Sequence, residues 1–151
     1  MINKLNNSHE KVAAQIFTIF QNSYKVEALL IGVIDFPPLS RNINHIENSK
    51  SLFYGFTANK NLAAIIEFEL HDNCLEIHSL TVDPNYFRQG IADKLLIYVL
   101  QKFRFSEAIV ETAVANTSAI NLYKKHGFVE FKRWTPSHGI EKLAMSVERC
   151  I

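Results

Sequence analysis

The clearest pattern of apolar and polar positions lies between Leu75 and Phe103. The alternation has the period of two that is typical of a strand: Leu75, Ile77, Ser79 and Thr81 alternate with Glu76, His78, Leu80 and Val82. A turn follows, because Pro84 has no N–H to donate within a sheet. After Gly90 the apolar residues recur at intervals of three and four, which predicts a helix with one stripe against the sheet. The chain is therefore organised around a predicted strand, turn and helix.

Strict alternation also assigns a face to each side chain of this strand. Glu76 and His78, two residues apart, are predicted to share one face, so two ionisable groups lie together. Leu80 and Val82 are predicted on that same face, and the opposite face is predicted to carry Leu75, Ile77, Ser79 and Thr81.

The same reasoning predicts the remaining elements. Asn7 and Glu10 are spaced as a capping box for a helix that runs to about Tyr24. The apolar stretch 26–34 has no clear period and is either a continuation of that helix or a buried turn. Short helices are predicted at 43–48 and from Asn116 or Thr117 to His126, and strands at 2–5, 52–58, 62–70, 108–114, 128–134 and 140–148. This order predicts an α/β fold with a mixed central sheet of about six to seven strands and about four flanking helices.

Composition limits the class of protein. The 151 residues suit a single domain spanning 1–151, and a 48% hydrophobic, 21% charged composition is ordinary for a globular protein. A net charge of +1 favours neither nucleic acid nor an anionic membrane as a partner. No apolar run is long enough to span a bilayer, and the first residues lack the apolar core of a secretory signal. We therefore expect a cytoplasmic protein in which Cys74 and Cys150 are free thiols.

The turn into the central helix has the features of an anion site. Gly90 and Ala92 are small, so a ligand can approach the backbone closely, and the first N–H groups of a helix have no internal partner. With the helix dipole they suit a phosphate. The Gly-x-Gly-x-x-Gly pattern of a dinucleotide-binding turn is incomplete, and the Gly-Lys-Ser/Thr of a P-loop is absent.

Two segments resemble the motifs of one known family. The hexapeptide FRQGIA at 87–92 is similar to the acetyl-CoA-binding motif Gln/Arg-x-x-Gly-x-Gly/Ala of the GNAT superfamily of N-acetyltransferases, with Phe87 in place of the first residue. The segment NTSAINLYKKHGF at 116–128 matches every specified position of the family's second signature, Asn-x-x-Ala-x-x-Leu-Tyr-x-x-x-Gly-Phe. The resemblance covers about Leu62 to Phe128.

This resemblance implies a GNAT fold and an enzyme that transfers an acetyl group from acetyl-CoA, its co-substrate, to a primary amine of a small molecule, protein or peptide by direct attack. The alternative is a non-catalytic coenzyme A-binding domain for sensing or interaction, which the departure at Phe87 favours. Acetylation of an aminoacyl-tRNA would require a basic surface, which the net charge does not support. The family's cofactor contacts correspond to Leu80, Val82, Arg88, Gln89, Gly90, Ile91, Ala92 and Asn116.

The reaction requires a base, because an amine with a pKa of about 10.4 is neutral only about once in 10³ at pH 7. The resemblance places Glu76 and His78 where family members hold their base. His78 needs no pKa shift, whereas Glu76 needs its pKa raised by burial. Glu67, on the neighbouring predicted strand, is a third candidate.

Tyr123, in the Leu-Tyr pair of the second signature, is the candidate proton donor to the leaving thiolate. With an ordinary phenol pKa this transfer is uphill by roughly 2 kcal/mol, so the help is modest. The same spacing also suits a core aromatic residue. His126 and His138 have no ligand spacing to a third partner, so no metal is expected. The sequence leaves the acceptor and the oligomeric state open, with a homodimer among the alternatives.

Overall fold

A computed structural model describes residues 1–149, and within them the chain forms an α/β fold of seven strands and four α-helices. The helices are α1 (Glu10–Ile31), α2 (Ile43–Glu47), α3 (Ile91–Lys102) and α4 (Thr117–Lys125). The strands are β1 (Ile2–Leu5), β2 (Leu52–Ala58), β3 (Asn61–His71), β4 (Cys74–Val82), β5 (Glu107–Ala113), β6 (Val129–Trp134) and β7 (Lys142–Glu148). The predicted elements and their order are confirmed.

The seven strands form one mixed sheet in the order β1-β2-β3-β4-β5-β7-β6. Neighbours are antiparallel except β4 and β5, which run parallel and are joined through α3. Both tight hairpins of the first half turn through two consecutive left-handed residues, Asn59–Lys60 and Asp72–Asn73, as the twist of antiparallel strands favours.

Each face of the sheet carries a hydrophobic core. On one face α3 and α4 pack through Leu95, Leu96, Val99 and Ile120. On the other face α1 and α2 pack through residues such as Ile16, Phe20 and Ile46. The sheet is thus covered on both sides, as the apolar runs of β3 require.

The parallel pair separates halfway along its length. β4 and β5 are in register only from Cys74 opposite Glu107 to Ile77 opposite Val110, although each strand continues beyond that point. From Ser79 to Val82, β4 is paired with β3 alone. Its other edge therefore presents backbone N–H and C=O groups that a ligand can use.

The predicted faces of β4 are wrong beyond His78. The partner positions run from Phe68 opposite Ile77 to Glu67 opposite Ser79, so His78 is an extra residue in a β-bulge. One extra residue exchanges the faces of everything that follows. Leu80 and Val82 therefore pack with Leu75 and Ile77 on the α3 side, and Ser79 and Thr81 face α1.

Two details near the N-terminus also differ from the expectations. The predicted capping box is wrong, because His9 is the N-cap of α1 and makes no side-chain capping bond. Asn7 instead donates to the carbonyl oxygens of Ile46 and Ser49 at 2.7 and 3.0 Å, which joins the start of α1 to the end of α2. The stretch 26–34 was predicted as either a continuation of this helix or a buried turn. It continues α1 as far as Ile31, and Gly32 caps the helix with a left-handed φ of 74°.

Cys74 carries a free thiol, as expected, whereas Cys150 lies outside the described residues. No helix within residues 1–149 is long and apolar enough to cross a membrane.

Candidate active site

The start of α3 has the open geometry expected of an anion site. Gly90 is the N-cap, with a left-handed φ of 72°, and Arg88 has a φ of 63°. A Cβ placed on Gly90 would meet no heavy atom within 4 Å, so the space in front of this backbone is empty. In the first turn of α3, Oδ1 of Asp93 lies 2.7 Å from Nε2 of His126 and 3.1 Å from Nζ of Lys125. These contacts connect the start of α3 to the end of α4.

A cavity of about 450 Å³, here called the α3 cavity, opens over this helix start. α1 also lines the cavity, through Val26, Glu27 and Leu30. All eight predicted cofactor-binding residues line it, together with Phe87 and Tyr123: Leu80, Val82, Arg88, Gln89, Gly90, Ile91, Ala92 and Asn116. The two sequence motifs, distant along the chain, thus meet in one site.

A second cavity, of about 260 Å³ and here called the β5 cavity, lies where β4 and β5 separate. Its apolar wall includes Tyr24, Phe36, Pro37, Pro38 and Ile140. Polar groups reach it from four further segments: His78, Glu111, His138 and Lys142. The Thr81 hydroxyl, in the same wall, is a buried side-chain oxygen without a hydrogen-bond partner among residues 1–149.

The two cavities meet at a shared set of residues, here called the junction: Glu27, Leu80, Asn116, Ala119 and Tyr123. Asn116 is the N-cap of α4 and accepts a hydrogen bond from the backbone N–H of Ala119 at 3.2 Å. This capping bond leaves the amide of Asn116 free to interact with Glu27 on α1. These five residues therefore form a wall that is common to the two cavities.

Tyr123 is almost fully buried, with 4% of its surface exposed. Its ring packs against that of Phe128, and the two ring centroids are 5.3 Å apart. Burial raises the pKa of the Tyr123 hydroxyl far above its ordinary value of about 10, and the nearby Glu27 carboxylate adds to the shift. The hydroxyl is thus a weaker acid than the sequence suggested. It suits hydrogen-bond donation better than complete proton transfer.

The predicted bases occupy different places. His78 lines the β5 cavity, and its Nε2 lies 2.6 Å from Oε2 of Glu69. Glu76 is half-buried but lines neither the α3 nor the β5 cavity. Glu67 is 3% exposed, with both carboxylate oxygens bound by Arg41. Of the three, only His78 lines either cavity.

One group of side chains could hold a metal ion, although the sequence suggested none. Glu69, His71 and Glu76 bring potential ligand atoms within 4.8 Å of one another on the outer part of β3 and β4. The hydrogen bond from His78 lowers the pKa of Glu69. None of the three residues lines the α3 or β5 cavity, so the expectation of a metal-free site stays a prediction.

Sequence reasoning missed Glu27, Glu111 and Lys142. Glu27 follows Tyr24 by three positions, so a charged residue interrupts the buried stripe of α1, and this interruption was the available signal. Glu111 on β5 and Lys142 on β7 form an ion pair, with Nζ of Lys142 3.3 Å from Oε1 of Glu111. No local pattern marks that pair, because it depends on the register of two strands distant along the chain.

Comparison with known proteins agrees with this arrangement. Residues 14–128 match the model of the Acetyltransferase (GNAT) family. The UPF0157 protein YqkA of Bacillus subtilis is 31% identical over 141 residues, which cover 93% of this chain and 41% of YqkA. N-alpha-acetyltransferase 30 of Xenopus laevis is 34% identical over 77 residues, which cover 47% of this chain and 28% of that protein. The chain thus spans less than half the length of these relatives.

Solved structures share the fold. The ribosomal-protein-S18-alanine N-acetyltransferase of Escherichia coli superimposes with a TM-score of 0.76 at 21% identity, over 98% of this chain and 92% of that one. The paia N-acetyltransferase of Thermoplasma acidophilum, in complex with coenzyme A, gives a TM-score of 0.77 at 19% identity, over 99% of this chain and 98% of that one. The predicted GNAT fold is confirmed, and with a family match across most of its length the chain belongs to the acetyltransferase (GNAT) family.

Proposed function

We propose that this protein transfers an acetyl group from acetyl-CoA to a primary amine by direct attack. The observation that carries the proposal is the junction. There the α3 cavity, which lies over a helix N-terminus suited to a phosphate, meets the β5 cavity beside Tyr123. Two substrates bound in the two cavities would approach each other at this point. Membership of the GNAT family supports the same reaction.

The α3 cavity is the proposed site of acetyl-CoA. Backbone N–H groups at 89–92 suit its diphosphate, because the left-handed Gly90 turns them outward and leaves open space in front. The free edge of β4 at Leu80 and Val82 suits the amides of the pantetheine arm. Phe87, 40% exposed at the rim, replaces a polar contact of the family motif with an apolar one.

The chemistry then requires three groups. A base removes a proton from the amine, a donor stabilises the charge that develops on the carbonyl oxygen, and the sulfur leaves as a thiolate. The unpaired backbone N–H groups of β4 supply the oxyanion donor in this proposal. The Tyr123 hydroxyl stabilises the leaving thiolate by a hydrogen bond. Glu76 and His78 remain predictions for the base.

The β5 cavity is the proposed acceptor site. Its acidic groups, Glu27 and Glu111, suit a cationic amine, and its apolar wall suits a hydrocarbon substituent. The relatives named N-alpha-acetyltransferase 30 favour the α-amine of a peptide over a small molecule. A cytoplasmic location and a homodimer remain predictions.

The test is thiol release from acetyl-CoA by the purified protein with a panel of peptide and small-molecule amines. Turnover is expected with at least one peptide that has a free α-amine, and none with the same peptide blocked at its N-terminus. Coenzyme A binding in calorimetry without turnover on any amine would instead support the non-catalytic alternative.

A further inference from the structure

Glu27 is the acidic residue at the junction. It lies on the penultimate turn of α1, is half-buried and lines both the α3 and the β5 cavity. Its neighbours at the junction are Asn116 and Tyr123, from α4. A carboxylate in this place lies where an acetyl donor and an acceptor would meet.

In the part of the chain that the structure describes, the Glu27 carboxylate has no ion-pair partner. Within residues 1–149, each salt bridge that lines the β5 cavity joins other groups, and Lys142 is bound to Glu111 at 3.3 Å. Burial raises the pKa of Glu27, while the polar side chain of Asn116 and the charge of Lys142 lower it less. A half-buried carboxylate without a partner is unfavourable, so the site gains stability when a cation enters.

We infer that Glu27 binds the ammonium group of the acceptor in the β5 cavity and then removes its proton. The inference rests on the proposed acetyl transfer and names the base for it. Because this carboxylate lies beside the cavity of the acetyl donor, the neutral amine is released where attack takes place.

The proton balance is complete. One proton moves from the ammonium to the Glu27 carboxylate, and the lone pair that is freed forms the N–C bond to the thioester carbonyl. The C–S bond then breaks, and the second proton of the attacking nitrogen passes to the thiolate. Glu27 finally loses its proton to solvent through the open side of the cavity. The products are the amide, free thiol and one proton.

The surrounding charges favour Glu27 over the other candidates. His78 is paired with Glu69 on β3, and Glu67 is paired with Arg41, so both of these candidates already have an ionic partner. The titratable or charged groups that line the two cavities with Glu27 are Tyr24 (α1), His78 (β4), Glu111 (β5), Tyr123 (α4), His138 (the β6–β7 loop) and Lys142 (β7), together with Tyr86 and Arg88 before α3. Of these, Lys142 is the cation whose charge lowers the pKa of Glu27, and its removal should raise that pKa further.

The first experiment measures ammonium binding without turnover. The protein saturated with coenzyme A is titrated with n-butylammonium chloride, and binding is followed by NMR, with n-butanol as the uncharged comparison. Wild type and the control Glu10→Gln, on the exposed first turn of α1, should bind the ammonium ion and bind butanol at least about 10-fold more weakly. Glu27→Gln should lose this preference. Wild-type preference in Glu27→Gln, or none in wild type, would overturn the inference.

The second experiment measures the pH dependence of kcat/KM with an accepted peptide. Glu27→Gln should lower kcat/KM at pH 7 by about 10²-fold, and its remaining rate should rise with pH as the amine loses its proton unaided. Lys142→Met should move the acidic limb to higher pH. An unchanged limb in Glu27→Gln, or its loss in His78→Ala alone, overturns the inference. Absence of turnover in wild type contradicts the proposed function instead, and the binding experiment then decides the ammonium site.

Discussion

Arg41 and Glu67 form a bidentate salt bridge, with Nη1–Oε1 and Nη2–Oε2 distances of 2.6 and 2.9 Å. The carboxylate is 3% exposed, and the Ser79 hydroxyl lies 3.4 Å from one of its oxygens. This pair joins the loop before α2 to the middle of β3. Since both oxygens of Glu67 already accept hydrogen bonds, its place in the structure favours a structural role over that of a base.

Removal of one partner should therefore be costly. Arg41→Met leaves a buried carboxylate without its partner, and we expect the free energy of unfolding to fall by about 3–5 kcal/mol in urea denaturation. Arg133→Met is the matched control, because its pair with Glu130 is exposed and should contribute far less to the free energy of unfolding. Equal losses in the two variants would show that burial does not decide the strength of the Arg41 pair.

Gly90→Glu should abolish coenzyme A binding. The new side chain would project from a left-handed backbone into the α3 cavity and place a negative charge where the diphosphate is proposed to bind. Gly32→Glu controls for backbone strain of roughly 1–2 kcal/mol, since Gly32 also has a positive φ and open space but lies outside both cavities. Calorimetry with coenzyme A measures the difference, and equal affinity of Gly90→Glu and wild type would remove the diphosphate assignment.

Tyr123→Phe should lower kcat about 10-fold and leave coenzyme A affinity nearly unchanged. The expected loss corresponds to one hydrogen bond, because burial raises the pKa of this hydroxyl and so disfavours complete proton transfer. Tyr98→Phe, on α3 and outside both cavities, is the control for loss of a hydroxyl. A wild-type kcat for Tyr123→Phe would make the residue part of the core alone.

Asp93→Asn should reduce stability in a pH-dependent way. The hydrogen bond from His126, with a contribution from Lys125, lowers the pKa of Asp93 below its unfolded value of about 3.9. The stabilisation is therefore present above that value and is lost as the pH falls through the folded pKa. Urea denaturation should show wild type more stable than Asp93→Asn by about 0.5–1 kcal/mol at pH 7, and the difference should shrink as the pH falls through the lowered pKa of Asp93. A difference independent of pH would assign the effect to packing.

Much of the fold follows from local patterns. The bounds of β1 and β2 agree with the predicted strands, and Gly90 is the N-cap of α3, where the motif placed the start of the helix. Alternation failed at His78, where the apolar positions shift from odd numbers (Leu75, Ile77) to even ones (Leu80, Val82), because strict alternation was continued across a bulge that is defined by pairing with β3. Glu27 escaped notice for a similar reason, since it reaches Asn116 only after α1 has crossed the sheet.

Local sequence patterns specify the order of the elements, the family and the eight predicted cofactor-binding residues of the α3 cavity, because periodicity, turn residues and the two motifs are each contained in a short segment. Tertiary structure alone decided the β5 cavity, the junction and the Arg41–Glu67 pair. Their members lie tens of residues apart, so their contacts depend on strand register and on the point where β4 and β5 separate. The electrostatics of Glu27 and Tyr123 follow from burial at that point, which is a property of the packed chain.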